Sequence, residues 1–144
     1  MKFTHGTAGA EVVWPPAGGA GKSSNDNSVV MRLSDGGVHF LLTGDIERRI
    51  EDALIAENEA LASVFLKVPH HGSKTSSSAE FLAAVALRFA VFSVGAANPF
   101  GHPAAAVLER YEQTGASLLR TDEDGAITAL TDGSSISVHR YADE

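Results

Sequence analysis

The chain has 144 residues, a length typical of one domain, and 44% of them are apolar, so a hydrophobic core can form. It contains no cysteine, which excludes disulfides and thiolate metal sites and leaves His, Asp and Glu as ligands for any metal. The formal charge of −7 disfavours a protein that coats nucleic-acid phosphates, but it does not exclude an enzyme that meets phosphate through a metal ion.

The periodicity of apolar residues predicts helices among short strands, which describes an α/β domain with a mixed sheet flanked by helices. No apolar run is long enough to cross a bilayer and no secretion signal is visible, so we expect a soluble piece if the natural protein is a membrane protein. Ser77 and Glu80 have the spacing of a capping box at the start of a helix. In chain order, the predicted elements are strands at 11–14, 29–33 and 38–42, a helix at 46–60, a strand at 64–68, a helix at 78–86, a strand at 89–94, a helix at 103–115, and strands at 117–120, 126–130 and 136–140.

One glycine-rich stretch has only a partial match to a phosphate-binding motif. Residues 17–28 contain Gly21-Lys22-Ser23, the end of a P-loop pattern, but proline occupies position 16, where that pattern requires glycine. We therefore interpret this stretch as a flexible loop.

The first predicted helix carries Glu47 and Glu51 next to Arg48 and Arg49. Their spacing predicts weak ion pairs on the polar side of the helix.

The loop at 69–78 carries the densest set of chemically capable side chains. A strand is expected to stop at Pro69, and His70, His71 and Gly72 follow it. Loops between strands and helices usually carry the chemistry of α/β proteins. Since adjacent strand positions face opposite sides, one histidine is expected to enter the site while the other supports it or touches substrate. A structural role is the alternative for either, and Gly72 is expected where the backbone bends sharply or approaches a ligand.

The hydroxyls and the amine after Gly72 suit an anion. Ser73, Lys74, Thr75 and Ser76 could donate hydrogen bonds to a phosphate at the start of the next helix, although ordinary loop and capping roles are the alternative for several of them.

Two more residues occupy equivalent positions. Asp45 follows a strand and precedes a helix, which fits either a helix N-cap or a metal ligand. His102 lies in another loop of this kind, where a structural role is again the alternative. Because the ends of neighbouring strands meet at one edge of a sheet, we expect Asp45, the histidine pair and His102 to lie close together.

Five segments in this order carry a family resemblance. They are Asn27-Ser28-Val29-Val30 to Leu33, Phe40-Leu41-Leu42-Thr43-Gly44-Asp45, Leu66-Lys67-Val68-Pro69-His70-His71-Gly72-Ser73, Ser93-Val94-Gly95 with Asn98 to Pro103, and Arg120-Thr121-Asp122 with Gly125-Ala126-Ile127. This succession resembles the C-terminal metallo-β-lactamase-like domain of the ComEC family of competence proteins over roughly residues 11–130.

The resemblance implies a hydrolase fold of two β-sheets between helices, the metallo-β-lactamase-like α/β sandwich, with a two-metal site that activates water and polarises a phosphodiester. It implies that Asp45 and His71 bind metal, with His70 as the alternative ligand or a substrate contact. Ser73, Lys74, Thr75 and His102 would contact substrate or lie near the site, and manganese or zinc would be the cofactor.

The family also implies DNA as the partner. Its members form a DNA-uptake channel in the inner membrane, used in natural transformation, and this domain resembles the nuclease proposed to degrade the strand that does not enter. We expect a soluble domain on the periplasmic or extracellular face. Two alternatives remain, namely another hydrolase of this fold, such as a phosphocholine esterase-like enzyme, and a non-catalytic domain that guides single-stranded DNA.

One departure from the family pattern is large. The family's main ligand string, H-x-H-x-D-H, does not occur in this sequence. We therefore expect residues 1–144 to be one partial domain, the C-terminal half of the sandwich, that is nearly inactive alone. A half sandwich would also leave a sheet face open, which predicts an exposed apolar surface, self-association or a rearranged form.

Overall fold

The computed structural model describes residues 1–21, 23–57 and 60–141. The strands are β1 (Lys2–His5), β2 (Ala8–Trp14), β3 (Val30–Asp35), β4 (Val38–Leu42), β5 (Phe65–Lys67), β6 (Phe89–Phe92), β7 (Ser117–Arg120), β8 (Ile127–Thr131) and β9 (Ile136–Arg140), and the helices are α1 (Arg48–Ala56), α2 (Ala79–Val85), α3 (Ala105–Glu112) and α4 (Thr121–Asp124).

The main sheet has seven strands in the order of the chain, from β1 to β7. Strands β1 to β4 pair antiparallel, whereas β4 to β7 pair parallel, each parallel step being made through a helix. The predicted α/β fold with a mixed sheet flanked by helices is therefore confirmed. The parallel half brings the carboxyl ends of β4, β5 and β6 to one edge of the sheet, where the loops with the candidate residues begin.

The main core lies between one face of this sheet and helices α1, α2 and α3. Ile50 and Leu54 of α1 pack here with Phe81 of α2 and Tyr111 of α3, all of them at most 1% exposed. The apolar spacing of each helix is thus explained by burial of one side against the sheet.

The opposite face of the sheet is covered in part by the hairpin β8–β9. Phe65, Val91 and Leu119 form a second buried cluster, against which Ile127, Ala129, Ile136 and Val138 of the hairpin pack. The strand register places Leu42, Met31 and Val12 beyond this cover on the same face, and all three are half-buried. We call these three residues the open apolar strip. The sheet face expected to be open is therefore partly closed by the chain's own hairpin.

Several predicted boundaries differ from the observed ones. Strand β1 was not predicted, because its residues are all exposed and carry no apolar alternation. Helix α1 begins at Arg48 and ends at Ala56, and the predicted extension to residue 60 falls on Asn58 and Glu59, which lie outside the described residues. The last residues of two other predicted elements, the strand at 89–94 and the helix at 103–115, belong to loops, and the short helix α4 was not predicted.

The predicted capping box is wrong by one residue. Ser78, and not Ser77, is the N-cap of α2, and its side chain accepts a hydrogen bond from the backbone N–H of Phe81. Ser77 instead has a left-handed backbone, with a φ of 62°. The backbone N–H of Ser77 donates to the carboxylate of Glu51, a tertiary contact that spacing along the chain does not reveal.

The loop at 17–28 is tied down by side chains where it is described. The Asn27 side chain accepts from the N–H of Ala20 and donates to the carbonyls of Gly21 and Ser23. Lys22 of the P-loop-like stretch lies outside the described residues. Within the described part of the chain, no helix has the length and apolar character that a bilayer crossing requires.

Candidate functional site

Three loops meet at the carboxyl edge of the parallel strands. They are residues 43–47 after β4, 69–78 after β5 and 93–104 after β6. Backbone hydrogen bonds join them, since His70 N–H donates to the Gly44 carbonyl at 3.1 Å and Ala104 N–H donates to the Gly72 carbonyl at 2.9 Å. The candidate side chains therefore lie on a connected frame.

Asp45 and His71 face each other at this rim. Asp45 Oδ1 lies 3.4 Å from His71 Nε2, and both side chains are partly exposed. On the other side of the ring, His71 Nδ1 lies 2.5 Å from the Ser93 carbonyl oxygen. Because a carbonyl can only accept, that contact assigns a proton to Nδ1 and makes Nε2 the ring atom that faces the carboxylate.

The N-cap alternative for Asp45 is not what the structure shows. The N-cap of α1 is Glu47, two residues later, and the backbone N–H of Arg48 donates to the Thr75 carbonyl of the second loop at 2.9 Å. Asp45 is instead positioned through its own N–H, which donates to Ser28 Oγ at 3.2 Å. The carboxylate is thus left at the surface of the site.

His70 points toward a different carboxylate. Its Nδ1 lies 3.3 Å from Glu47 Oε1, although the two groups are not aligned as a hydrogen bond. The His70 ring also packs edge-on against His102, with ring centroids 5.8 Å apart. The two adjacent histidines are not strand residues, as their φ angles are 46° and 55°, so the alternation expected from a strand does not orient them. A left-handed backbone at two consecutive non-glycine residues is strained, and the surrounding hydrogen bonds hold it.

Gly72 meets the expectation of a close backbone approach. Its φ is 81°, and a Cβ placed there would lie 2.7 Å from Pro103 Cβ. Only glycine fits this contact between the second and third loops without displacement.

Two groups at the rim have shifted pKa values. Burial lowers the pKa of His102, and the positive charge of protonated His70 and His71 would lower it further. Burial also lowers the pKa of the Lys67 ammonium, while the nearby Asp45 carboxylate opposes that shift. His102 is therefore biased toward the neutral ring, and Lys67 is a cation close to Asp45.

The predicted anion-binding residues differ in exposure. Lys74 and Thr75 are exposed at the rim, whereas Ser73 is buried and its hydroxyl pairs with that of Thr75 at 3.0 Å. Thr75 Oγ1 also donates to Glu47 Oε1 at 3.0 Å. Their proposed contact with substrate stays a prediction, for which Lys74 and Thr75 have exposed side chains.

The start of α2 is occupied by a buried carboxylate. Glu51 of α1 is 0% exposed, and its two oxygens accept from the N–H groups of Ser77 at 2.5 Å and Ser78 at 2.8 Å. Ser77 Oγ lies 3.0 Å from the buried Tyr111 hydroxyl, and the Arg110 guanidinium donates to the Ser77 carbonyl. This network ties the end of the loop at 69–78, which we call the histidine loop, to helices α1 and α3 at the point where α2 begins.

The predicted pairs between neighbouring charges on α1 are therefore wrong. Glu51 is buried against α2, and Glu47 contacts the histidine loop. Arg48 lies 3.3 Å from Glu80, and Arg49 lies 3.0 Å from Asp26. Arg48 also lies 3.8 Å from Asp52, four residues later on α1, so the helix keeps one such pair, but not with the predicted glutamates.

Sequence reasoning missed Glu47, Lys67 and Thr121 as parts of the site. Thr121 Oγ1 accepts from Val94 N–H at 2.8 Å and donates to the Val94 carbonyl at 2.7 Å, next to the carbonyl that fixes His71. Their position in the sequence could have indicated a role, because each of the three lies within two residues of a motif residue or a strand end.

A complete metal site is not present in the described part of the chain. Residues 1–21, 23–57 and 60–141 contain no group of three or more His, Asp or Glu side chains placed to hold one ion. Asp45 and His71 therefore form a pair of potential ligands.

Comparison with known proteins identifies relatives of this chain, although no family model matches it. It is 44% identical over 104 residues to competence protein ComA of Neisseria gonorrhoeae, covering 72% of this chain and 15% of that protein. It is 35% identical over 105 residues to ComE operon protein 3 of Bacillus subtilis strain 168, covering 73% of this chain and 14% of that protein. It is 34% identical over 116 residues to the uncharacterized protein YcaI of Escherichia coli K12, covering 80% of this chain and 15% of that protein. The chain thus spans only a small part of these relatives, and through that part it is related to ComEC-type competence proteins.

Proposed function

We propose that this chain is part of a metal-dependent phosphodiesterase domain, a nuclease, in a protein of DNA uptake. The observation that carries the proposal is the Asp45–His71 pair, supported by the similarity to competence proteins. The membrane channel, the periplasmic or extracellular face and the degradation of the non-entering strand belong to the proposal as well.

The facing atoms of the pair fit a metal ion. A carboxylate oxygen and the lone pair of a neutral imidazole nitrogen can both coordinate a cation placed between them. Two ligands held about 2.0–2.2 Å from one tetrahedral ion lie about 3.3–3.6 Å apart, and the observed separation of 3.4 Å falls in that range. The bond from Nδ1 to a backbone carbonyl is the outer contact that metal-binding histidines usually make. Manganese or zinc would suit these nitrogen and oxygen donors.

When bound, the ion would polarise a phosphodiester and lower the pKa of a bound water. The roles that we propose for the other rim residues follow from their exposure and charge. Lys74 is exposed and can contact a phosphate, and Lys67 offsets the carboxylate charge near Asp45. His70 is held near Glu47, so we assign it to substrate contact or support and not to the metal.

Two ligands alone bind an ion weakly. We propose that the remaining ligands come from an H-x-H-x-D-H segment that this chain does not carry, as in a complete metallo-β-lactamase-like domain. The chain by itself is then expected to bind metal weakly and to turn over little substrate.

Metal binding is the direct test. Thermal unfolding of the chain with added manganese or zinc should shift upward, because an ion that binds only the folded state stabilises it. Asp45→Asn and His71→Gln should abolish the shift, whereas the control His139→Gln, on the exposed part of β9, should keep it. An equal shift in all four proteins, or none in the parent, would contradict the proposed site.

Activity is tested by supplying the missing ligands. The chain mixed with a polypeptide that carries the H-x-H-x-D-H segment should cleave labelled single-stranded DNA with manganese, and Asp45→Asn should remove the cleavage. Hydrolysis of a phosphocholine ester without hydrolysis of DNA would favour the alternative hydrolase. Strong cleavage by the chain alone that survives Asp45→Asn would refute the proposal.

A further inference from the structure

A pocket opens beside the Asp45–His71 pair. Its volume is about 180 Å³, and its walls are His71, Val94, Gly95, Asn98, Phe100 and His102. A group bound there would lie against the same imidazole that faces Asp45. The pocket therefore adjoins the candidate metal site and shares His71 with it.

Phe100 is an exposed aromatic ring at the wall of this pocket. It is 75% exposed, and its ring stacks on that of His102 with centroids 6.0 Å apart and planes 25° from parallel. The His102 ring in turn contacts His70 edge-on. The rings thus form a layered aromatic surface that leads from solvent to the histidine loop.

The loop that carries Phe100 is held in place. Asn98 Oδ1 accepts from the His102 N–H at 3.0 Å, and Asn98 Nδ2 donates to the carbonyls of His102 at 2.6 Å and Gly95 at 3.2 Å. Both ends of the amide are thus used to close the loop around Phe100. Since an ordered loop presents a large apolar ring to water, the ring is pre-positioned for a contact.

The charge of the chain restricts how it can hold a polyanion. The formal charge is −7, and carboxylates of Asp45 and Glu47 lie at the rim beside Lys67 and Lys74. Attraction for phosphates is therefore weak, and affinity must come from contacts that do not depend on charge. Stacking of bases on aromatic side chains is such a contact, and it tolerates any base sequence because every base has a flat face.

We infer that this pocket receives a nucleobase of a single-stranded nucleic acid, stacked on Phe100 and His102 beside His71. The identity of the substrate rests on the proposed function. The stacked base would anchor the strand next to the Asp45–His71 pair without selecting a sequence, because the Asn98 amide is already bonded within its loop.

The test compares two oligonucleotides of equal length and charge, one with normal bases and one with abasic sugars. Binding of each to the 144-residue chain is measured by fluorescence anisotropy with a chelator present, so that no cleavage occurs. We expect the base-bearing strand to bind more tightly. Phe100→Ala should weaken its binding about 5- to 150-fold, the range that loss of about 1–3 kcal/mol of stacking per base produces, and should leave the abasic strand unaffected.

Two further variants make the result decisive. Phe100→Leu keeps an apolar side chain but removes the flat ring, and should also lose the preference for bases. The control Phe3→Ala removes another exposed phenylalanine, on the edge strand β1, and should bind as the parent does. Equal binding of the two strands by the parent, no binding of either, or a Phe100→Leu protein with full preference would overturn the inference.

Failure of this inference and failure of the proposed function are distinguishable. Asp45→Asn should keep the preference for bases while losing the metal-dependent thermal shift. A chain that prefers bases but shows no metal-dependent shift would leave the pocket assigned and the metal site refuted. A chain that binds metal but does not distinguish the two strands would support the metal site and refute the nucleobase pocket.

Discussion

Replacement of the buried Glu51 by glutamine tests how the histidine loop is held. The carboxylate accepts two backbone N–H groups, from Ser77 and Ser78, inside a site with no exposure to solvent. In Glu51→Gln, the amide oxygen can accept from only one of them, and the amide NH2 then faces the other N–H. One buried donor is therefore left without an acceptor, although the same volume is filled.

The expected loss is about 1–3 kcal/mol of unfolding free energy, the cost of one unsatisfied buried donor and of a charged acceptor becoming neutral. This is a large part of the roughly 5–15 kcal/mol that stabilises a typical domain. Urea unfolding followed by the fluorescence of Trp14 measures it, because this single tryptophan is 4% exposed in the core. The control Glu80→Gln removes an exposed partner of Arg48 and should cost no more than about 1 kcal/mol.

The pH dependence of the free energy of unfolding of the parent and of Glu51→Gln gives a second test, in which the direction of the change is predicted. Burial raises the pKa of Glu51 above its ordinary value of 4.5, and the hydrogen bonds from Ser78 and Ser77 offset this only in part. The folded protein therefore takes up this proton at a higher pH than the unfolded chain does. Lowering the pH from about 8 toward 4.5 should stabilise the parent relative to Glu51→Gln, so the difference between them should widen. A difference that narrows over this range, or a glutamine variant as stable as the parent at every pH, would refute the reasoning.

Three further outcomes are expected. Gly72→Ala should lower the free energy of unfolding in urea by about 1–3 kcal/mol, because a φ of 81° is strained for alanine and the new Cβ would clash with Pro103. The control Gly95→Ala has open space around it and should change the free energy of unfolding little; similar losses in the two variants would contradict this. Burial raises the pKa of Tyr111, so Tyr111 should contribute no phenolate absorbance at a pH about one unit above 10, and a signal equal to two phenolates would show that Tyr111 is accessible. The open apolar strip should cause self-association, seen as a sedimentation coefficient that rises with protein concentration, and a constant monomer value would argue against it.

The order of the elements and the location of the site followed from local patterns. Strand β4 and strand β7 were predicted with their observed bounds, because each is a short stretch with apolar residues that begins just after glycine-containing turn residues. The position of Asp45, the histidine pair and His102 at neighbouring strand ends predicted that they would meet, since parallel strands carry their ends to one edge.

The roles of individual side chains did not follow in the same way. Spacing along α1 predicted that Glu51 would lie at the surface beside Arg48 and Arg49, whereas it is buried against residues 26 and 27 positions later in the chain. Nothing in the local pattern distinguishes a surface glutamate from one that satisfies the start of another helix.

The amino-acid sequence by itself determined the α/β architecture and the rim at which the candidate side chains gather, because apolar periodicity and turn residues act over a few neighbours. Only the tertiary structure decided that His71 faces Asp45 while His70 turns to Glu47. That choice depends on two left-handed residues and on the carbonyl of Ser93, which is 22 positions away and comes near only when β5 and β6 pair.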